Sequence, residues 1–202
     1  MGVLPLDRHQ PIRIAAEIAR LGLAPAKLWV GIGSGQLRAQ IDVVRRAVIE
    51  LRELLPVGTR IVVAAMRPWL CHLGGAIADG VLLNWMLPAQ VAAARRWVQE
   101  GADEAGRAAP IVASYVRVAV GPGSLQRLRD EESRYRNVNE AHRKHFEAMD
   151  VPLGTVGVAA SARSEVLDGL AAYQSALDLP IVRLLPEQNA TSLRSAADAA
   201  AP

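Results

Sequence analysis

Residues 27–36, Lys27-Leu-Trp-Val-Gly-Ile-Gly-Ser-Gly-Gln36, decide the fold. Leu28–Ile32 is a continuous apolar run without polar alternation, the pattern of a strand buried on both faces. It passes into the glycines Gly31, Gly33 and Gly35. From Leu37 the apolar positions 37, 41, 44, 48, 51 and 55 keep helical period, while Arg38, Arg45, Arg46, Arg52 and Glu53 take the other side. Pro56 and Gly58 stop this helix. Strand, glycine turn and amphipathic helix in succession make a repeating half of a parallel crossover unit.

The same pattern recurs outward. Ile61–Ala65 reads as a strand, and Pro68 opens a helix to about Ala78. Val81–Trp85 is a strand, Pro88 opens a helix ending near Gly101 or Gly106, and Ile111–Val120 is a strand closed by Gly121-Pro-Gly123. Arg163–Leu177 reads as a helix and Ile181–Leu185 as a strand. Upstream, Ile14, Ile18 and Leu21 follow helical spacing up to Gly22, after an apolar stub at Met1–Leu6. Apolar strands alternating with helices predict an α/β fold with a parallel sheet, either an open doubly wound sheet or a TIM-barrel-type (β/α)8 arrangement. If the arrangement is a barrel, five good strands and the stub give only a partial one of five to six strands, as one domain over residues 1–202. Residues 124–150 stand apart as a charged helical insertion, most simply a solvated helix pair and otherwise a lid or dimer surface. The Ala/Ser-rich residues 187–202 predict a flexible tail.

The chain has 202 residues with 51% hydrophobic content, too apolar for a disordered protein. No apolar run reaches the ~20 residues of a membrane span, and Met1–Gly22 lacks the basic-then-apolar order of a signal peptide. One cysteine makes no internal disulfide, so the cytoplasm is the expected compartment. The net charge of +3 comes from basic residues interleaved with acids, so neither nucleic acid nor membrane is expected as a partner.

Several junctions carry potential chemistry. A strand leaving through Gly33-Ser34-Gly35-Gln36 presents backbone N–H groups to an anion; a tight turn explains the same residues. Gln36 stands where a dinucleotide fingerprint needs its last glycine, and no P-loop lysine follows. At Ala64-Ala65-Met66-Arg67-Pro68 a helix N-terminus aims free N–H groups above the strand end. Asn84 and Trp85 stand at another strand exit, where barrel enzymes place ligand contacts. Tyr115 and Arg117 share a strand face with Ile111 and Ala113, and an arginine there needs an acceptor, either an interior carboxylate or a ligand phosphate. Cys71-His72 point apart on a helix, so a buried structural cysteine is expected rather than a nucleophile. His142 and His145 have Arg143 and Lys144 between them, and no metal site is expected. Neither a zinc spacing nor a G-x-S-x-G elbow occurs.

In order, these junctions resemble the luciferase-like monooxygenase family. The matching stretches are Gly2–Leu6, Lys27–Gln36, Ile61–Pro68, Ala76–Trp85 and Ala113–Gly121, with weaker similarity through Val156–Ala160 to Ile181–Leu185. The resemblance implies a β/α barrel and an oxidoreductase using FMN or the deazaflavin coenzyme (factor 420). It implies that Gly33, Ser34, Gly35 and Gln36 lie near the cofactor ring and side chain, that Ala64, Ala65, Met66, Arg67 and Pro68 approach its phosphate end, and that Gly80, Leu82 and Asn84 lie beside the same ligand. Tyr115 and Arg117 are further candidate contacts, and a small-molecule substrate and a homodimer are implied partners. Two departures stand out. Arg67 replaces a glycine usual in the family, and either obstructs a phosphate or offers it a bidentate contact. The family's first two strand-helix units, and most of its third strand, have no counterpart before the stub, so open edges remain and no catalytic acid or base is assigned. An internal methionine of a longer enzyme, a shortened flavin-binding or dimerisation protein without turnover, and strands supplied by another chain each account for this.

Overall fold

The computed structural model describes residues 2–185, 194 and 197–201. In chain order the elements are β1 (Val3–Pro5), α1 (Pro11–Leu21), β2 (Trp29–Gly33), α2 (Gln40–Leu54), β3 (Arg60–Ala64), α3 (Pro68–Ile77), β4 (Gly80–Asn84), α4 (Pro88–Glu104), β5 (Ile111–Val120), α5 (Ser124–Arg136), α6 (Glu140–Met149), β6 (Val158–Ala160), α7 (Arg163–Ala176) and β7 (Leu179–Leu184). The sheet order is β1-β2-β3-β4-β5-β6, with β7 paired to β5. Pairing is parallel in β1–β2, β2–β3, β3–β4 and β5–β6. Among the described residues no helix is long and apolar enough to cross a membrane.

The chain gathers into two compact units, Met1–Asn84 with Ala92–Ala113, and Trp85–Val91 with Ser114–Pro202. In the first, side chains alternate between a helix-covered face and an opposite face. Val30, Ile32, Ile61, Val63, Val81 and Leu83 are all buried, 4% exposed or less. On α3, Gly74 lies so close to β4 that a Cβ there would stand 2.6 Å from Val81 Cγ2, which places Val81 on the helix side. By alternation Gly80, Leu82 and Asn84 take the opposite face. At the amino end of the strands, Asp79 accepts from the Ile61 N–H at 2.8 Å and from Arg52 Nη2 at 2.9 Å, joining α2, β3 and β4.

Helices α3 and α4 approach through glycines. A Cβ on Gly75 would run into the Val98 carbonyl, and one on Gly101 into the His72 carbonyl. Helix α2 begins at Gln40, three residues later than the apolar period from Leu37 predicts. Gly35 at φ +61° and Ala39 at φ +52° explain the delay, because left-handed residues cannot extend a right-handed helix.

In the second unit the charged run 124–150 does form two helices, but they are more than a solvated pair. Leu128, Glu132 and Phe146 are fully or almost fully buried, and Glu131 is 9% exposed. Glu132 accepts from Arg136 Nη2 at 3.0 Å and from the Gly154 N–H at 2.8 Å, tying α5 to the loop that follows α6. A buried carboxylate is stable only with partners of this kind. Strand β6 is additional to the five strands and stub expected. It has three residues, two of them alanine, which is too short and too weak in β-propensity to read from sequence. Most of the tail expected over 187–202 lies outside the described residues; Ala201 within it accepts from Arg163 Nη2 at 2.9 Å.

The glycine crossing sets a stability expectation. Gly75→Ala and Gly101→Ala each force α3 and α4 apart and should cost about 2 kcal/mol or more, the range for overpacking. Gly106→Ala, with nothing near its missing Cβ, should cost about 1 kcal/mol from its left-handed backbone alone. Urea midpoints of the three variants check this ordering.

Candidate functional site

Register builds the candidate site. Pro5 lies opposite Gly33 in the β1–β2 ladder, Ile32 opposite Val63, and Ala64 opposite Leu82. The carboxyl ends of β1 to β4 therefore open on one rim, and the ladder continues one bond further, from the Ala65 N–H to the Leu82 carbonyl at 3.0 Å. Gly33 is buried there, between Val3 and Ala64. A Cβ on Gly33 would stand 3.1 Å from Val3 Cγ1 and 3.4 Å from Ala64 Cβ, so Gly33 and Ala64 make a low floor between neighbouring strands. A side chain at Gly33 would press on Val3 and Ala64.

The turn beyond Gly33 has an occupant that the sequence did not reveal. Asp7, two residues past β1, accepts the Gln36 N–H through Oδ2 at 3.2 Å. A Cβ on Gly35 would collide with the same carboxylate, so glycine is required there by both its φ of +61° and the approach of Asp7. Asp7 is held in place by a tight turn, in which the Arg8 and His9 N–H groups both donate to the Pro5 carbonyl at 3.0 Å. The N–H groups read as an anion cradle are thus partly satisfied by an internal anion. Continuing the Pro5–Gly33 register by two residues puts Asp7 opposite Gly35; only a known register could have found it.

At the β3 exit, Ala65 is buried and Met66 and Arg67 are partly buried. Arg67 occupies the N-cap position of α3 in extended conformation, with Pro68 in the first turn and no acidic residue there. Its guanidinium lies 5.5 Å from the centre of the Trp69 ring. Positive charge at the start of a ten-residue helix leaves that end attractive to an anion. Asn84 ends β4 on the same rim, half-buried, and Leu82 is buried one pleat below it. Gly80 is not with them. It begins β4, about 13 Å back along the strand, where a Cβ would meet Trp29, Val62 and Ile111 at 3.2–3.3 Å. Its place in the structure is explained by that packing.

Tyr115 and Arg117 belong to the second unit, with Trp85. Arg117 is 1% exposed. Its guanidinium lies 3.9 Å from the Trp85 ring centre, 5.1 Å from Tyr135 and 5.8 Å from Tyr115. Stacking of this kind is worth about 2 kcal/mol when desolvated. The acceptor expected for this arginine was a carboxylate or a phosphate; the structure surrounds it with aromatic faces and gives it a hydrogen bond to Tyr135. Burial pulls its pKa down to about 10, with Arg183 pushing the same way and Tyr135 and Glu131 opposing, so it stays cationic at neutral pH. Burial also raises the Tyr115 hydroxyl. Arg183 donates to Tyr135 Oη at 3.1 Å and pairs with Glu131 at 3.2 Å, while Arg134 pairs with Glu131 as well. Tyr135, Glu131 and Arg183 were not legible as a group, since they come from a helix and a strand 48 residues apart.

Trp85 is buried at φ +53°, a left-handed conformation costing about 1–2 kcal/mol for a residue with a Cβ. His145 Nε2 donates to its carbonyl at 2.6 Å and holds the chain there. His142 and His145 are thus engaged separately, His142 with Asn139 Oδ1 at 2.9 Å, and burial depresses its pKa. Among the described residues no cluster of potential ligands could hold a metal. Cys71 is fully buried and its thiol is pushed up to about 12 by desolvation. The neighbouring His72 pairs instead with Glu104 at 3.2 Å.

The architecture is an α/β fold of the TIM-barrel type, and solved structures share it. An F420-dependent secondary alcohol dehydrogenase in complex with an F420-acetone adduct superposes with a TM-score of 0.76 at 15% identity, covering 96% of this chain and 76% of that one. A coenzyme F420 dependent tetrahydromethanopterin reductase from Methanopyrus kandleri gives 0.64 at 16% identity, with 92% and 76% covered. An EDTA monooxygenase from Chelativorans sp. BNC1 gives 0.64 at 11% identity, with 98% and 71% covered. No family model and no curated protein matches the sequence. The barrel-type fold expected from the luciferase-like resemblance is therefore the fold found, and these identities establish the fold alone.

The raised Cys71 pKa makes a chemical expectation. Because the folded value of about 12 lies above the ordinary 9.0, the thiol stays protonated through pH 9 in the native state. Ellman's reagent at pH 8 should label Cys71 at least a hundredfold more slowly in native protein than in urea; equal rates would contradict its burial.

Proposed function

We propose that this protein is a luciferase-like oxidoreductase that binds FMN or the deazaflavin coenzyme against the carboxyl rim of β2, β3 and β4. The observation that carries the reading is the small-residue rim at Gly33 and Ala64, where the missing Cβ of Gly33 keeps the surface low between the Ser34–Gln36 turn and the N-terminus of α3. A planar apolar ring is what such a floor accommodates. The fit extends to the ends of the ligand. Arg67 and the Trp69 N–H at the start of α3 would hold a phosphate, the Leu70 and Cys71 N–H groups already donating to the Arg67 carbonyl, and the Arg67 guanidinium supplies charge where a glycine backbone would supply only closeness. Asn84 offers both a donor and an acceptor to a ring edge.

When bound, the cofactor supplies the chemistry, either hydride transfer or reaction of its reduced form with oxygen. The chain's own part is to orient the ring on the Gly33–Ala64 floor, fix the phosphate at Arg67, and keep water from the buried face lined by Leu82. The substrate is a small molecule, and a homodimer is part of the proposal. The fold-level similarity to two F420-dependent enzymes and to an EDTA monooxygenase supports the general kind of activity.

Titration with FMN and with the deazaflavin, followed by absorbance and thermal shift, tests the reading. Binding should raise the melting temperature, because a ligand at 100 times its Kd adds about 2.7 kcal/mol. Arg67→Met should weaken FMN about tenfold while changing riboflavin, which lacks the phosphate, by less than about twofold. If neither cofactor shifts the melting curve or its own spectrum, the proposal fails. Consumption of a reduced cofactor then separates an enzyme from a protein that only binds it.

A further inference from the structure

We infer that Asp7 is a specificity-determining residue of this site, the acceptor for the hydroxyl-bearing chain that joins ring to phosphate in a flavin-type ligand. The inference rests on the proposed cofactor reading and deepens it. Three features make Asp7 a built element rather than a passing surface charge. Its carboxylate is anchored by the Gln36 N–H. Gly35 has no room for a Cβ because of it. Its side chain is only 23% exposed, although the residue follows a strand end on the surface of a turn. Arg8 Nε lies 3.9 Å from Oδ1 with its side chain largely in solvent, so the pair leaves the carboxylate reachable.

An ionised carboxylate only accepts hydrogen bonds, and it has about four lone-pair positions. One is used by Gln36. The rest suit hydroxyl donors and repel phosphate. At the β2 exit the turn is therefore selective for the neutral polyol portion of a ligand, and an anionic group is directed to the other exit, where Arg67 stands at the head of α3. The two exits thus have opposite charge preferences, which fixes the direction in which an asymmetric ligand can lie. A glycine turn without Asp7 would favour anions at both exits and fix no direction.

The test compares riboflavin with lumiflavin, which has the same ring and no polyol, by fluorescence quenching with wild type, Asp7→Asn and Asp7→Ala. Wild type should prefer riboflavin. Asp7→Ala should reduce that preference about tenfold, the usual weight of a charge-assisted hydrogen bond, and Asp7→Asn should fall between, since it keeps one acceptor oxygen. The ratio of FMN to riboflavin should not fall in either variant, in contrast to Arg67→Met. Should Asp7→Ala misfold by circular dichroism, Asp7→Asn, which retains the Gln36 contact, decides alone. If wild type binds these flavins but the riboflavin preference is absent, or survives both substitutions, Asp7 is only a tether and the inference is overturned while the cofactor reading stands. If wild type binds none of them, the inference is overturned, and the cofactor reading falls with it only if the deazaflavin also leaves the melting curve unchanged.

Discussion

The candidate site depends on the parallel register that sets Pro5 against Gly33 and Ala64 against Leu82. Side chains alternate along a strand, so a slip of one residue in either ladder would turn every small residue of that rim toward the helices. The floor at Gly33 and Ala64 would then disappear, and Asp7 would no longer face Gly35. The register is secured from the other side, by Val63 and Val81 packed under Gly74 and by the Asp79 contacts at the amino ends. Core packing on one face thus fixes the surface of the other.

The two compact units use arginine in different ways. In the first, Arg67 stands at a helix start with its guanidinium over Trp69, part of the rim's charge. In the second, Arg117 is enclosed by Trp85, Tyr115 and Tyr135, and its charge serves an aromatic cluster. Glutamates on α5 complete that arrangement, Glu131 with Arg183 and Arg134, and Glu132 with Arg136. A segment whose composition reads as solvent-facing therefore carries buried carboxylates. The reason is that helix α5 places Leu128, Glu131, Glu132 and Tyr135 on one side, three and four residues apart.

The sequence alone determined the order and type of most elements. Continuous apolar runs at 28–32, 61–65, 81–85 and 111–120, with Pro and Gly at their ends, can form little else than buried parallel strands between helices. It also determined that Cys71 would be buried, and it marked the exits of β2, β3 and β4, where glycine, proline and asparagine break the apolar pattern. What only the tertiary structure decided is pairing. The three-residue strand β6, the placement of β7 on β5, the distance of Gly80 from Asn84, and the meeting of Asp7 with Gly35 depend on which backbone lies beside which. Periodicity is a local property of the chain, whereas register and long-range contact arise from the packing of many residues together, and no single stretch of sequence carries them.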